Sequence, residues 1–169
     1  ALYLQVMKHN PKDPQWQQRD RCIWSAGHKA PALYVALAEA GYCNIEDVIT
    51  GLRKLDSCFE GHPNCLKLPG VEVSTGSLGQ GLGYAVGQAL DAKERNLPYT
   101  TYCIMGDGEH DEGSVWEAIM AGGNFKLDNL VAIVDRNGLQ IDGATGSVME
   151  IDPLDKKYVA FNWDVITID

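Results

Sequence analysis

Asp107 stands between two glycines in Gly106-Asp107-Gly108, directly after the apolar run Tyr102-Cys103-Ile104-Met105. Asn137 follows 30 positions later in Asp135-Arg136-Asn137-Gly138-Leu139, after a second apolar run over 130–134. A carboxylate and a carboxamide are hard oxygen donors of the kind that hold magnesium or calcium. Two such groups leave most of the coordination sphere unfilled, so they suit a cation whose other ligands are water and phosphate oxygens. To share one ion, the two runs must be neighbouring parallel strands, whose ends emerge side by side roughly 4.8 Å apart. The stretch 115–125 between them is long enough to be the crossover helix that parallel strands require. Gly106 and Gly108 let the backbone turn sharply and let a ligand approach it closely. A Gly-Asp-Gly tripeptide alone is equally an ordinary turn. The 30-residue spacing across one strand-helix-strand unit is what points to a site.

The remaining elements have to position that pair. Residues 30–40 and 45–55 read as helices, the second with Asn44 as its N-cap. Residues 77–95 carry Leu78, Leu82, Val86, Ala89 and Leu90 along one side, with several glycines that permit close backbone approach. Ser114-Val115-Trp116-Glu117 is a capping-box pattern opening the crossover helix. Residues 2–8 read as the end of a helix stopped by Asn10-Pro11, and 163–169 alternate like a strand. Both ends look cut. The expectation is one partial α/β domain over 1–169, a three-layer, doubly wound, mostly parallel sheet with helices on both faces.

Rival motifs fail at specific positions. A dinucleotide fingerprint starting at Gly79 requires glycine or alanine where Tyr84 stands, and one starting at Gly81 meets Val86. A calcium loop of the EF-hand kind starting at Asp107 requires glycine where Glu112 stands and glutamate where Ala118 stands. The chain also lacks a G-x-x-x-x-G-K-[ST] phosphate loop.

Composition narrows the class. The 169 residues are 45% hydrophobic and 22% charged, enough for one good core. A net charge of −9 with no basic stripe argues against nucleic acid, and Arg19, Arg21, Arg53 and Lys54 read as solvated. Any phosphate must therefore be held by local donors, namely a bound cation, backbone NH groups or a helix amino terminus. Five cysteines without a C-x-x-C pair indicate neither a disulfide framework nor a zinc site, and a reducing cytoplasm is expected. Neither an 18-residue apolar span nor a leader is visible, so no membrane association is expected.

Gly106-Asp107-Gly108 with its following Asn137 resembles the signature of thiamine diphosphate enzymes. Ser25-Ala26-Gly27-His28, Gly61-His62-Pro63, the run from Leu68-Pro69-Gly70 to Leu78-Gly79-Gln80-Gly81, and Leu139-Gln140-Ile141-Asp142-Gly143 are similar to transketolase, in transketolase order. Ser77 before Leu-Gly-Gln-Gly resembles the split type, whose halves are separate polypeptides.

The resemblance implies a thiamine diphosphate fold of the diphosphate-binding type and transfer of a two-carbon ketol unit between ketose and aldose phosphates, as in the pentose phosphate pathway. It makes Asp107, the side chain of Asn137 and the carbonyl of Leu139 ligands of magnesium, with calcium as the alternative. His28 and Gly108 would contact the diphosphate, Leu78 and Ile141 would flank the thiazolium ring, and the Gly76 carbonyl would face the aminopyrimidine. His62 would stand in the substrate channel, and Glu112 at a subunit interface. On the residues alone, His28 is equally a surface loop histidine, and Leu78 and Ile141 are equally core residues. The implied partners are sugar phosphates and a complementary pyrimidine-binding domain or C-terminal transketolase subunit, in a homodimer or heterotetramer. Alternatives are deoxyxylulose phosphate synthase, a 2-oxoacid dehydrogenase component, or a noncatalytic homologue serving as a binding or regulatory subunit.

Overall fold

The computed structural model describes residues 1–141 and 143–168. In chain order its elements are β1 (Arg21–Trp24), α1 (Ala30–Glu39), α2 (Ile45–Gly51), α3 (Gly81–Glu94), β2 (Thr101–Gly106), α4 (Gly113–Asn124), β3 (Leu130–Asp135), the small pair β4 (Leu139–Gln140) and β5 (Gly143–Ala144), α5 (Thr145–Val148) and α6 (Leu154–Ala160). The strands β1, β2 and β3 form a parallel sheet in that order, with Arg21 beside Thr101 and Thr101 beside Leu130.

The two-residue pleat sends alternate side chains into two cores, one on each face. Ile23, Cys103 and Met105 join Leu82, Ala85 and Ala89 of α3 and Val115, Ala118 and Ile119 of α4. On the other face Cys22, with Trp24, Tyr102 and Ile104 packed alongside, meets Leu33, Tyr34 and Leu37 of α1 and Val48 of α2. Helices on both faces of a parallel sheet make this the three-layer α/β arrangement expected from the strand-helix-strand pattern. Fully buried side chains such as Leu82, Met105 and Ile119 each contribute about 1.5–3 kcal/mol.

Local chemistry sets the boundaries. Asn44 caps α2 by accepting the Glu46 amide at 3.1 Å, and Glu46 and Asp47 add negative charge to the first turn. The helix stops at Gly51 rather than running on to residue 55, because Arg53 turns left-handed (φ 58°) and donates its amide to Phe59 O at 2.8 Å. Residues 2–6 form a single π-helical turn that ends before Asn10-Pro11, since the Lys8 amide is captured by Asp20 Oδ2 at 2.7 Å. The third helix begins at Gly81, four residues later than its apolar stripe suggests.

Two expectations are corrected. The capping box at Ser114 does not form: α4 starts at Gly113 behind Glu112, and Ser114 Oγ instead donates to Gly79 O at 3.0 Å. Residues 163–168 are not a strand. Trp163 is tied to α4 through Nε1 donating to Ile119 O at 2.8 Å, and the segment that follows runs along a cleft beside Ala132 and Val134 without a ladder to β3. Asp142 and Asp169, parts of the motif and strand expectations, lie outside the described residues.

Candidate functional site

Gly106 pairs with Asp135 at the carboxyl edge of the sheet, and the Asp107 amide donates to Asp135 O at 3.2 Å, so both strands end together. Asp107 is 1% exposed. Its Oδ1 accepts the Gly108 amide at 2.9 Å, and its Oδ2 reaches across to accept the Gly138 amide at 2.8 Å. The carboxylate thereby clasps the loop carrying Asn137 onto the end of β2. Asn137 is exposed, and its Oδ1 accepts the Leu139 amide at 2.9 Å in a local turn.

Leu139 and Ile141 follow on the small hairpin, 63% and 94% exposed. Ile141 has φ 52°, a left-handed backbone that a β-branched residue rarely adopts. An apolar side chain held outward at a strained position is of no use to the core, which removes the core reading for Ile141. Leu78 is half-buried in the loop leading to Gly79.

A second group gathers at the end of β1. His28 is exposed on the 3-10 turn Gly27–Lys29, and Lys29 Nζ pairs with Asp135 Oδ2, holding this turn against the end of β3. A Cβ at Gly27 would stand 2.7 Å from Thr75 O and 2.8 Å from Gly76 N, so only glycine lets the 75–76 backbone lie this close. Thr75 Oγ1 donates to Trp24 O at 2.7 Å, and the Thr75 amide donates to Pro63 O at 3.3 Å. The His62 ring lies 3.5 Å from the open side of Gly76. The fold thus assembles the stretches bearing His28, His62 and Gly76, although 48 residues separate the first from the last. Glu112 is exposed just before α4, with its Cβ against Gly79.

Two buried residues of the Asp107 loop escape the motif reading. Glu109, 2% exposed, accepts the Gly79 amide at 2.8 Å and Ser25 Oγ–H through Oε1, and the Gly106 amide at 3.2 Å through Oε2. His110, 1% exposed, donates from Nδ1 toward Gly106 O and Asp107 O, both 3.0 Å away, leaving Nε2 to accept Tyr158 O–H at 2.9 Å. Burial holds the His110 imidazole below its usual range, although the two carbonyls pull in the other direction. The only signal in the sequence was a run of titratable side chains, Glu109-His110-Asp111-Glu112, directly behind the Asp-Gly pair.

The donor set fits a hard cation. Each Asp107 oxygen accepts one backbone bond and keeps a second lone pair, and Asn137 Oδ1 does the same. Among the described residues no three His, Cys, Asp or Glu side chains cluster as metal ligands. The arrangement therefore suits an ion that takes other ligands from a backbone carbonyl, water and phosphate. Cys22, Cys43, Cys58, Cys65 and Cys103 are free thiols, and no described helix is long and apolar enough to cross a membrane.

The family model described as "Transketolase, thiamine diphosphate binding domain" matches residues 1–169. One of the two subunits of an apulose-4-phosphate transketolase from Phocaeicola vulgatus is 47% identical over 169 residues, covering 100% of this chain and 59% of the relative. A 6-deoxy-6-sulfo-D-fructose transketolase subunit from a Clostridium species is 46% identical over 169 residues, covering 100% of this chain and 61% of the relative. The solved transketolase from Leishmania mexicana superposes with a TM-score of 0.87 at 39% identity, covering 95% of this chain and 25% of that one. The chain spans about three-fifths of the length of the first two relatives.

Proposed function

The chain belongs to the thiamine diphosphate-binding domain family of transketolase, and from that membership we propose that it anchors the cofactor's diphosphate end in an enzyme moving a two-carbon ketol unit from a ketose to an aldose. The Asp107 clasp on Gly138 carries this reading. It presents a buried carboxylate with free lone pairs at the ends of two adjacent parallel strands. We assign Asp107, Asn137 and the Leu139 carbonyl to magnesium, with calcium as an alternative, and His28 and Gly108 to the diphosphate. Leu78 and the outward-held Ile141 flank the thiazolium ring, and the Gly76 carbonyl faces the aminopyrimidine.

When bound, thiamine diphosphate supplies the electron sink that carbon-carbon cleavage of a ketose needs. This chain's residues supply position and charge. His62, exposed beside Gly76 and fixed by the Pro63–Thr75 bond, binds donor hydroxyl groups. Glu112, at the start of α4, serves a subunit contact.

The names of the relatives extend the substrate class beyond the pentose phosphate pathway to anionic ketoses generally, including apulose 4-phosphate and 6-deoxy-6-sulfo-D-fructose. Both of those relatives are named as transketolase subunits, which supports a split enzyme whose pyrimidine-binding domain is on a complementary polypeptide, in a heterotetramer, or in a homodimer if both domains share one chain. The five free thiols support a cytoplasmic setting.

The test combines the full-length protein with its complementary subunit, thiamine diphosphate and magnesium. Ketol transfer to ribose 5-phosphate is then measured from xylulose 5-phosphate, apulose 4-phosphate and 6-deoxy-6-sulfo-D-fructose. Transfer from any donor supports the reading. A folded pair that binds the cofactor and transfers from none is a noncatalytic homologue.

A further inference from the structure

The buried Glu109 carboxylate has no part in the assignments above, yet it joins three separate pieces of the site. Its partners are Ser25 just after β1, Gly79 in the loop before α3, and Gly106 at the end of β2. Ser25 Oγ, which donates to Glu109, in turn accepts the Gly81 amide at 3.1 Å. Residue 79 is gripped from both sides, because Glu109 accepts from its amide and Ser114 Oγ donates to its carbonyl at 3.0 Å. Its backbone is left-handed, at φ 80°. A Cβ there would fall 2.6 Å from Glu112 Cβ and Ser114 Oγ, so the loop is pressed against the start of α4.

We propose that Glu109 is a positioning residue for cofactor binding, one that fixes the loop bearing Gly76 and Leu78 relative to the loop bearing Asp107 and Gly108. The inference rests on the thiamine diphosphate reading of the site. Gly76 and Leu78 stand three and one residues before the gripped Gly79, while Asp107 and Gly108 stand two and one residues before Glu109. One carboxylate thus sets the separation between the loop assigned to the ring and the loop assigned to the diphosphate. Only an ionised carboxylate accepts all three bonds at once. In Glu109→Gln, the new NH₂ group must face either the Gly106 amide or the Gly79 amide and Ser25 hydroxyl, donor against donor.

The experiment uses the full-length protein paired with its complementary subunit, into which thiamine diphosphate is titrated calorimetrically in saturating magnesium. Glu109→Gln is expected to raise the cofactor Kd about tenfold or more, the usual consequence of orphaning a buried donor. Ser114→Ala, which loosens the other side of the same grip, is expected to raise it two- to fivefold. The donor KM at saturating cofactor stays within twofold of wild type, because the His62 loop is fixed by different bonds. That last readout separates positioning from general damage, which would move both constants. Wild-type protein that binds no thiamine diphosphate overturns the functional reading and this inference with it. Wild-type binding with a folded Glu109→Gln protein within twofold of it overturns the inference alone. If Glu109→Gln does not fold, an unchanged cofactor Kd in Ser114→Ala does the same.

Discussion

The two strand ends that frame the site are built differently. Behind β2, Asp107, Glu109 and His110 are each no more than 2% exposed, and each is bonded to backbone on more than one side. Behind β3, Asn137 is exposed, and Leu139 and Ile141 are 63% and 94% exposed. The first loop is part of the protein interior, whereas the second is a surface hairpin held to it chiefly by Asp107 and by Gln140 Nε2 donating to Asp111 Oδ2 at 2.7 Å. The contrast divides the work. Changes in the buried loop should cost folding and binding together, while changes in the exposed hairpin should cost binding alone.

Asp107→Ala puts the largest strain on this division. It removes the proposed cation ligand and orphans the Gly108 and Gly138 amides. Metal-dependent cofactor binding should fall at least about a hundredfold, and unfolding free energy should fall by about 1–3 kcal/mol per buried donor left without a partner. Calorimetric titration and chemical denaturation measure the two losses. Binding lost at unchanged stability would mean that Asp107 is not a structural clasp, and unchanged binding would remove it from the ligand set.

On the exposed side, Asn137→Ala should weaken the magnesium requirement of cofactor binding about tenfold, in the range expected for losing one charge-assisted or metal contact. The unfolding midpoint should not change. His62→Ala should act further out, raising donor KM or lowering turnover with cofactor Kd within twofold. Cofactor binding lost with His62 would move this side chain to the diphosphate. A large drop in midpoint with Asn137→Ala would show the hairpin to be as integral as the β2 loop.

The buried side also predicts a pH effect. His110 is held neutral by burial, with its folded pKa below the ordinary value near 6.5, so the unfolded chain binds the proton first on acidification. Stability therefore declines as pH falls through 6.5 toward the folded value, by at most about 1.4 kcal/mol per pH unit. His110→Phe should flatten that slope while losing the Tyr158 bond. A variant retaining the full slope would assign the effect to another group.

This division also explains what could be read in advance. The strand-helix-strand unit and the Asp107–Asn137 pair were legible because apolar runs, glycines and spacing are local signals of a parallel sheet edge. The assembly of His28, His62 and Gly76 became legible only through family resemblance, since it depends on Gly27 admitting the 75–76 backbone. Glu109 and His110 were not legible, because a polar run after a turn normally faces water. Here a 3-10 turn over Gly108–Asp111 rolls both side chains inward. Ser114 shows the same limit: a capping pattern was present, but Gly79 O offered the hydroxyl a tertiary partner. The alternation over 163–168 likewise could not reveal that Trp163 docks on α4.

Ile141→Gly gives the smallest effect and the sharpest sign. At φ 52° an isoleucine carries a backbone penalty of about 1–2 kcal/mol that glycine does not. Glycine adds unfolded-state entropy worth roughly 0.5–1 kcal/mol, so relief of strain should leave the variant about 0.5 kcal/mol more stable. Its side chain is 94% exposed, so little core packing is lost. If Ile141 is kept for the thiazolium ring, the same change should weaken cofactor binding severalfold. Opposite signs in denaturation and titration would mark strain retained for a ligand. Lower stability with unchanged cofactor affinity would show that Ile141 serves the hairpin itself, and the exposed half of the site would lose its apolar wall.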